Sequence, residues 1–180
     1  PKTVMNLNKL VDRMEAITGQ FRYFARARTE AKSSVQLSTV LEETEGLLKT
    51  EIAAAEIDFR CEKLKVPIEL HGHQMQLEQA FTNLLKNAIH AVGNETNPRI
   101  TIDVRPGPAK VDIHIIDNGS GLGGSSLSEL QEPFFSTKPS GVGMGLGLAI
   151  TTEIIKDHGG DLTLGTVSTG AEFIVTLPLV

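Results

Sequence analysis

The chain has 180 residues, 40% of them hydrophobic and 22% charged, and a formal net charge of −5. These values are typical of an ordinary globular protein, and the length suits one well-buried domain with an appendage rather than two full domains. The acidic balance excludes the broad positive field that nucleic-acid binding requires, so we expect no nucleic-acid partner. No segment reaches the roughly 18 apolar residues of a membrane-spanning helix.

The first predicted element is a helix whose apolar residues recur at alternating spacings of three and four. This spacing is typical of a seam that packs against a partner helix. Because the polar stretch 28–34 separates the seam from later strands, we interpret residues 1–34 as a helical arm and residues 35–180 as one folded domain. A helix packed on its own domain remains the alternative. The seam residues are Leu7, Leu10, Met14, Ile17, Phe21 and Phe24.

The domain begins with a predicted helix at 37–55, for which Ser38 or Thr39 would be the N-cap. Short strands are predicted at 56–62 and 66–70, before a long helix at 74–92 that ends at Gly93. The buried face of the first helix is predicted to contain Leu37, Val40, Leu41, Leu47 and Leu48.

The second half of the domain starts with apolar and polar residues alternating over 99–117 around PGPA, which predicts an antiparallel hairpin. A loop rich in Gly, Ser and Pro at 119–145 precedes a helix at 145–158, and strands at 161–166 and 171–179 follow. We therefore predict an α/β (α+β) fold, a two-layer α/β sandwich with a mixed, mostly antiparallel sheet.

The long helix carries neutral amides on the side opposite its apolar face, where Glu and Lys are expected on a solvated surface. Such amides indicate a ligand, although a plain wet surface has equal weight from this stripe alone. An amide oxygen can bind Mg²⁺, which keeps substrate phosphates and waters as its other ligands, and Asn87 suits that role. The stripe consists of Gln76, Gln79, Asn83, Lys86, Asn87 and His90.

Three glycines after Asp117 match the GxGxxG pattern of a dinucleotide-binding turn, but no crossover helix follows them, so we reject that interpretation. Asp117 at a strand end could accept a hydrogen bond from an exocyclic amine, and the glycines would let the backbone approach a flat ligand. The alternative is a turn-initiating Asp before Asn-Gly. The glycines are Gly119, Gly121 and Gly124.

Four motifs stand in order: NLLKNAIHA (83–91), DNGSG (117–121), EPFFSTK (132–138) and GMGLGLAI (143–150). Together they resemble the asparagine, glycine and phenylalanine boxes of the ATP-binding domain of sensor histidine kinases of two-component systems. The resemblance runs from about Leu37 to Leu179. It implies the Bergerat-type ATP-binding fold, with ATP and Mg²⁺ as cofactors.

The resemblance also implies residue roles. Asp117 would bind the adenine amino group, Gly119 and Gly121 would shape its pocket, and Asn87 would hold Mg²⁺ with help from Asn83. His90 stands where many members place a phosphate-contacting Lys or Arg. Further ATP-binding positions would be Lys86, Ala91, Leu122, Phe134, Gly143, Met144, Gly145, Leu146, Gly147 and Leu148.

Two features of the loop before the last helix concern the triphosphate. Lys138 could reach the γ-phosphate when the loop closes and, with Asn83 and Asn87, would form the catalytic set; a solvated lysine is the alternative. Gly141 and Gly143 are interpreted as a hinge. Gly145 and Gly147 would expose helix N–H groups to phosphate.

Hydrolases of this fold place a Glu one helical turn before the magnesium-binding Asn, where this sequence has Asn83. An amide cannot accept the proton of a water, so phosphoryl transfer is favoured over hydrolysis. We expect transfer of the γ-phosphoryl group to a histidine of a separate helix. The alternatives are a nucleotide-binding regulatory module without transfer activity and a gyrase-like ATPase.

The arm resembles the second helix of the family's dimerisation and phosphotransfer bundle. Since no histidine here has the context of the phospho-acceptor, we expect that helix to belong to a longer protein, which the start at Pro1 also suggests. The implied partners are a response regulator, the acceptor helix and a second copy of the chain. The expected location is cytoplasmic, including the cytoplasmic side of a membrane-anchored sensor.

The histidines receive other interpretations. His158, before Gly159, is predicted to be a cation at a helix C-terminus. His71 and His73 are predicted to be loop residues, since a third metal ligand is lacking, and His73 would be a weak cap for the long helix.

Overall fold

The computed structural model describes residues 31–61, 64, 66–132, 135 and 145–180. The predicted arm, apart from its last residues, lies outside this set, as do Phe134, Lys138, Gly141, Gly143 and Met144. The roles given to these residues therefore stay predictions.

Among the described residues, α-helices alternate with short and long strands. The helices are α1 (Leu37–Ala54), α2 (Gln74–Ala91), α3 (Leu127–Leu130) and α4 (Gly147–Asp157). The strands are β1 (Ser33–Gln36), β2 (Asp58–Cys61), β3 (Glu69–Gly72), β4 (Arg99–Pro106), β5 (Lys110–Asp117), β6 (Asp161–Leu164) and β7 (Ala171–Pro178). None of the helices described is both long and apolar enough to cross a membrane.

Five strands form the main sheet, in the order β2-β4-β5-β7-β6. The pair β2–β4 is parallel and the other three pairs are antiparallel, so the predicted mixed, mostly antiparallel sheet is confirmed. The β4–β5 pair is the hairpin that the alternating pattern predicted. A separate antiparallel pair, β1–β3, lies outside this sheet.

The core lies between the sheet and a layer of helices. In β5, alternate side chains are buried, because successive residues of a strand point to opposite faces. Helix α2 packs against α1, α4 and β5, so it occupies the centre of the helical layer. Its buried face contains Leu77, Ala80, Phe81, Leu84, Leu85 and Ala88.

The predicted N-cap of α1, Ser38 or Thr39, was wrong, although the helix does begin at Leu37 as predicted. The N-cap is Gln36, and no side chain caps this helix. The Leu37 N–H instead donates to the Ile68 carbonyl at 2.9 Å, so the chain enters α1 directly from β1. Leu47 was also wrongly placed in the core. It is 65% exposed, while Thr44 and Ile52 are buried on that helix.

The pair β1–β3 overturns one further expectation. His71 lies in β3 opposite Ser34, so it is a strand residue and not a loop residue. His73 is the N-cap of α2 and makes no side-chain capping bond, as the sequence led us to expect.

His158 corrects the prediction of a cation at a helix C-terminus. The side chain is 5% exposed, its Nδ1 lies 2.7 Å from the Ile154 carbonyl, and its Nε2 lies 2.9 Å from the His73 backbone N–H. A carbonyl can only accept and a backbone N–H can only donate. His158 is therefore a neutral ring with its proton on Nδ1, and it connects α4 to the start of α2.

Candidate nucleotide-binding site

Asp117 is the last residue of β5, the middle strand of the main sheet. Its side chain is only 4% exposed, since it shares the inward face of the strand with Ile113 and Ile115. One oxygen, Oδ1, accepts hydrogen bonds from the backbone N–H groups of Gly119 at 2.9 Å and Ala171 at 3.3 Å. The other oxygen takes no part in these two bonds. The carboxyl group is thus fixed in direction by the backbone of two different segments.

The environment of Asp117 alters its acidity in two opposing ways. Burial raises the pKa of the carboxyl group, while the N–H groups of Gly119 and Ala171 lower it, and the net direction is upward. A carboxylate that is costly to bury is typical of a functional site rather than of a turn. The turn interpretation is therefore weaker than the sequence alone made it.

The loop after Asp117 lies directly on the end of α2. A Cβ at Gly119 would lie 2.4 Å from the backbone carbon and oxygen of Ala91, so only glycine fits at this distance. Ser120 N–H donates to the Ala91 carbonyl at 3.2 Å. The structure thereby brings together Ala91 and Gly119, which the sequence assigned to the same site from separate motifs.

Gly121 and Gly170 face each other beside the carboxylate. Both have positive φ, +69° and +76° respectively, a region that favours glycine. A Cβ on Gly121 would lie 3.0 Å from the Gly170 carbonyl oxygen, and one on Gly170 would overlap the Asp117 carbonyl. Gly170 and Ala171 were not predicted, because only the pairing of β5 with β7 brings them to Asp117. The STG turn before the last strand was the available signal.

Asn83 connects α2 to the start of α4. Its Nδ2 lies 3.3 Å from the Gly147 carbonyl and 3.5 Å from Thr151 Oγ1, which itself donates to Gly147 at 2.8 Å. The predicted neighbours Asn83 and Gly147 are therefore in contact. Thr151 belongs to the same group and was not predicted.

The other residues of the polar stripe are not equivalent. Asn87 and His90 follow Asn83 on α2, half-buried and exposed respectively. Lys86 turns toward α1, where its Nζ lies 3.8 Å from Glu51. Gln76 is only 2% exposed, so this end of the stripe is buried rather than open to a ligand.

Helix α4 begins at Gly147 after Gly145, whose φ is +67°. The side chains of Leu146 and Leu148 are buried, so any contact that this stretch makes with a ligand falls to its backbone. Among the described residues, no side chain caps the helix. Leu122, in the loop after Asp117, is half-buried.

Within the described part of the chain, no group of three or more His, Cys, Asp or Glu could hold a metal ion by itself. A magnesium ion would depend on few protein ligands and on the phosphates of a nucleotide, which is how proteins usually bind it. The amide oxygen of Asn87 fits that requirement in its chemistry.

Residues 72–180 match the family of histidine kinase-, DNA gyrase B- and HSP90-like ATPases. The chain belongs to this family. ATP is accordingly the nucleotide that the ATPase domain implies, and the match includes Asp117, its glycines and all of α2 and α4.

Two curated relatives of this chain are named as a sensor protein and as a histidine-protein kinase. The C4-dicarboxylate transport sensor protein DctB of Rhizobium meliloti (strain 1021) is 31% identical over 172 residues, covering 96% of this chain and 27% of DctB. The signal transduction histidine-protein kinase AtoS of Escherichia coli (strain K12) is 32% identical over 172 residues, covering 95% and 28%. The chain thus spans about a quarter of each relative.

Two solved structures share the fold. The catalytic domain of histidine kinase ThkA superposes with a TM-score of 0.73 at 29% identity, over 83% of this chain and 98% of that one. ThkA in complex with response regulator protein TrrA gives a TM-score of 0.77 at 26% identity, over 94% and 48%. The predicted fold and the resemblance to the ATP-binding domain of sensor histidine kinases are therefore confirmed.

Proposed function

We propose that this domain binds Mg-ATP and transfers its γ-phosphoryl group to a histidine on the dimerisation helix of a two-component sensor. The observation that carries the proposal is the buried Asp117 carboxylate, held by two backbone N–H groups in an ATPase fold. A carboxylate that is fixed in this way is suited to accept a hydrogen bond from the exocyclic amine of adenine. The relatives named as sensor or histidine kinases support the transfer step.

Successive turns of α2, together with the loop that lies on its last turn, would contact different parts of the nucleotide. Gly119 lies against the last turn at Ala91 and would flank the base. Asn87, one turn earlier, would hold Mg²⁺, which when bound neutralises phosphate charge. Asn83 donates its amide hydrogens to Gly147 and Thr151, an arrangement that suits an orienting role and offers no base for hydrolysis.

The start of α4 would face the triphosphate with backbone N–H groups, because the described part of the helix has no side-chain cap and its N-terminal dipole end is positive. Lys138, outside the described residues, would add a positive charge near the γ-phosphate. Transfer would then break the bond between the γ-phosphorus and the oxygen that bridges the β- and γ-phosphates, and that oxygen would leave with ADP. A P–N bond to the acceptor imidazole would form.

The first experiment is a titration with a non-hydrolysable ATP analogue, with and without magnesium. We expect magnesium-dependent binding that is lost in Asp117→Ala and Asn87→Ala. Asp112→Ala is the matched control for the first, since Asp112 lies on the same strand and bonds Thr176. Asn94→Ala, just beyond α2, is the control for the second. Retained affinity in both site variants would contradict the proposed site.

The second experiment tests transfer. The chain is mixed with labelled ATP and a polypeptide that supplies an acceptor helix, and acid-labile phosphohistidine is measured. Binding without any phosphohistidine would favour a regulatory module, and release of inorganic phosphate alone would favour a gyrase-like ATPase.

We further propose that residues 1–34 pair with a second copy of the chain, that a response regulator is the downstream partner, and that this part of the protein works in the cytoplasm, including the cytoplasmic side of a membrane-anchored sensor. The complex of ThkA with TrrA supports the regulator as a partner class. Sedimentation of the full chain and of residues 33–180 tests the pairing, since only the full chain should dimerise.

A further inference from the structure

Asn118 follows Asp117 and ends the β4–β5 ladder with one backbone and one side-chain hydrogen bond to Arg99. Its backbone N–H donates to the Arg99 carbonyl at 3.2 Å, as expected for the next pair of the β4–β5 ladder. The return bond does not go to a backbone acceptor. The Arg99 N–H donates at 2.7 Å to Oδ1 of the Asn118 side chain.

This exchange lets the chain leave the sheet at once. Because the side chain satisfies Arg99, the backbone of Asn118 is free to turn toward Gly119 while the ladder stays closed. The amide nitrogen of Asn118 donates to the Asn97 carbonyl at 2.8 Å, so the side chain is held at both of its polar atoms.

The same peptide is confined from the opposite side. A Cβ on Gly170 would lie 2.8 Å from the Asn118 Cα, so β7 and its turn press against this point of the chain. Asn118 thus holds the peptide toward β4 while Gly170 packs against it from β7. The direction of the Asp117 side chain depends on the peptide that these two contacts fix.

We propose that Asn118 is a positioning residue that sets the selectivity of the site for a 6-aminopurine. The inference rests on the proposed role of Asp117 in adenine binding. By ending β5 with its side chain, Asn118 orients the Asp117 carboxylate so that the oxygen not bonded to Gly119 and Ala171 meets the exocyclic amine. A 6-oxopurine offers no donor there and gains nothing from that orientation.

The test compares the affinities for ATP and ITP, measured calorimetrically in magnesium, in wild type and in variants. We expect wild type to prefer ATP. Asn118→Ala should lose at least tenfold in ATP affinity with little change for ITP, so the ratio should fall. Asn118→Asp keeps an Oδ1 acceptor for Arg99 but places a second acceptor against the Asn97 carbonyl, so its ratio should lie between those of wild type and Asn118→Ala. Asn97→Ala, which keeps the carbonyl that Asn118 uses, should match wild type.

Thermal unfolding of each variant separates folding from selectivity. If Asn118→Ala does not fold, Asn118→Ser replaces it, because a hydroxyl cannot reach both Arg99 and Asn97. An equal loss for ATP and ITP, or no loss for either, would overturn the positioning role. Unchanged ATP affinity in Asp117→Ala would instead contradict the proposed function, so the two failures are distinguishable.

Discussion

At both ends of α2 a glycine allows another segment to approach more closely than any side chain would permit. At the C-terminal end, Gly119 lies on the backbone of Ala91, where a Cβ would be 2.4 Å from the carbonyl. At the N-terminal end, Gly72 lies under the ring of His158, where a Cβ would be 2.2 Å from Cδ2. With 18 residues in the helix, these contacts are about 27 Å apart.

The two contacts differ in what they hold. At the C-terminal end the backbone of a loop meets the backbone of a helix beside Asp117, whose buried carboxyl group is costly to ionise. At the N-terminal end the contact is a buried neutral ring that bonds His73 and Ile154. Under the proposed function, a glycine in the same kind of contact would therefore serve nucleotide binding at the C-terminal end of α2 and stability at its N-terminal end.

The largest effect is expected from Gly72→Ala. The added methyl group meets a buried ring that is held at both nitrogens, so we expect a loss of about 3 kcal/mol in the free energy of unfolding. For a domain of this size that is a fall in Tm of roughly 6–12 °C. Nucleotide affinity at temperatures where the variant is folded should stay within about twofold.

The matched control is Gly46→Ala, in α1, where an added Cβ meets nothing within 4 Å. It should stabilise the helix by up to about 1 kcal/mol. A Gly72→Ala variant with wild-type Tm and weakened nucleotide binding would reverse the assignment of the two ends.

Gly119→Ala should show the opposite pattern. The new methyl group would push the loop off the Ala91 backbone, so we expect at least a tenfold loss of nucleotide affinity, about 1.4 kcal/mol. The loss of stability should be smaller than in Gly72→Ala. Titration and thermal unfolding of the same samples give both numbers.

Gly93→Ala provides the comparison for this variant. Gly93 lies two residues beyond Ala91, and a Cβ there would make an ordinary contact of 3.4 Å with the His90 carbonyl. Its nucleotide affinity should equal that of wild type. Equal losses in both variants would mean that the end of α2, and not the approach of Gly119, matters.

The sequence alone predicted the elements in which apolar residues recur with a clear helical or strand period. The long helix and the β4–β5 hairpin were predicted to within a residue or two, because one apolar face repeats over many residues. By contrast, β1 has only four residues, SSVQ, and α3 only four, so neither shows a period. The N-cap of α1 was mispredicted because the first N–H of the helix is satisfied by Ile68, a partner 31 residues later.

The site divides in the same way. Asp117 and its glycines form one contiguous motif, so the sequence could place them together. Gly170 and Ala171 reach Asp117 only through the β5–β7 pairing, and Thr151 reaches Asn83 only through the packing of α4 on α2. His158 was misread because a histidine before two glycines is equally compatible with a solvated cation, and only its burial and its hydrogen-bond partners decide between the two interpretations.

We expect Asp117→Asn to raise the free energy of unfolding, because the buried carboxylate beside the C-terminal end of α2 destabilises the fold when it is ionised. Since the folded-state pKa of the carboxyl group is raised, the ionised form costs stability at pH values above that pKa, and the cost disappears at pH values below the unfolded-state value of 3.8. The asparagine keeps Oδ1 for Gly119 and Ala171. At pH 7 we expect a gain of about 1 kcal/mol or less in unfolding free energy, with weaker ATP binding.

Urea unfolding at pH 7 and near pH 4 measures this difference. The gain should shrink toward the acid end. Asp112→Asn, which removes a charge from the other face of β5, should show no comparable gain at pH 7. If Asp117→Asn is clearly destabilised at pH 7, the carboxylate stabilises the fold and the contrast between the two ends is smaller than proposed.

The smallest effect concerns Cys61 in β2, a reporter for whether either glycine variant disturbs the sheet edge. Burial, followed by the charges of Glu45 and Glu42 on α1, raises the pKa of its thiol to about 11. At pH 8 its alkylation by iodoacetamide should therefore be on the order of a hundredfold slower than that of a free thiol. Glu45→Gln should speed the reaction slightly without changing Tm.

Gly119→Ala should leave the alkylation rate of Cys61 unchanged, because its effect is local, whereas Gly72→Ala should raise that rate because the whole domain opens more often. Equal rates in the two glycine variants would show that the ends of α2 are coupled through the domain.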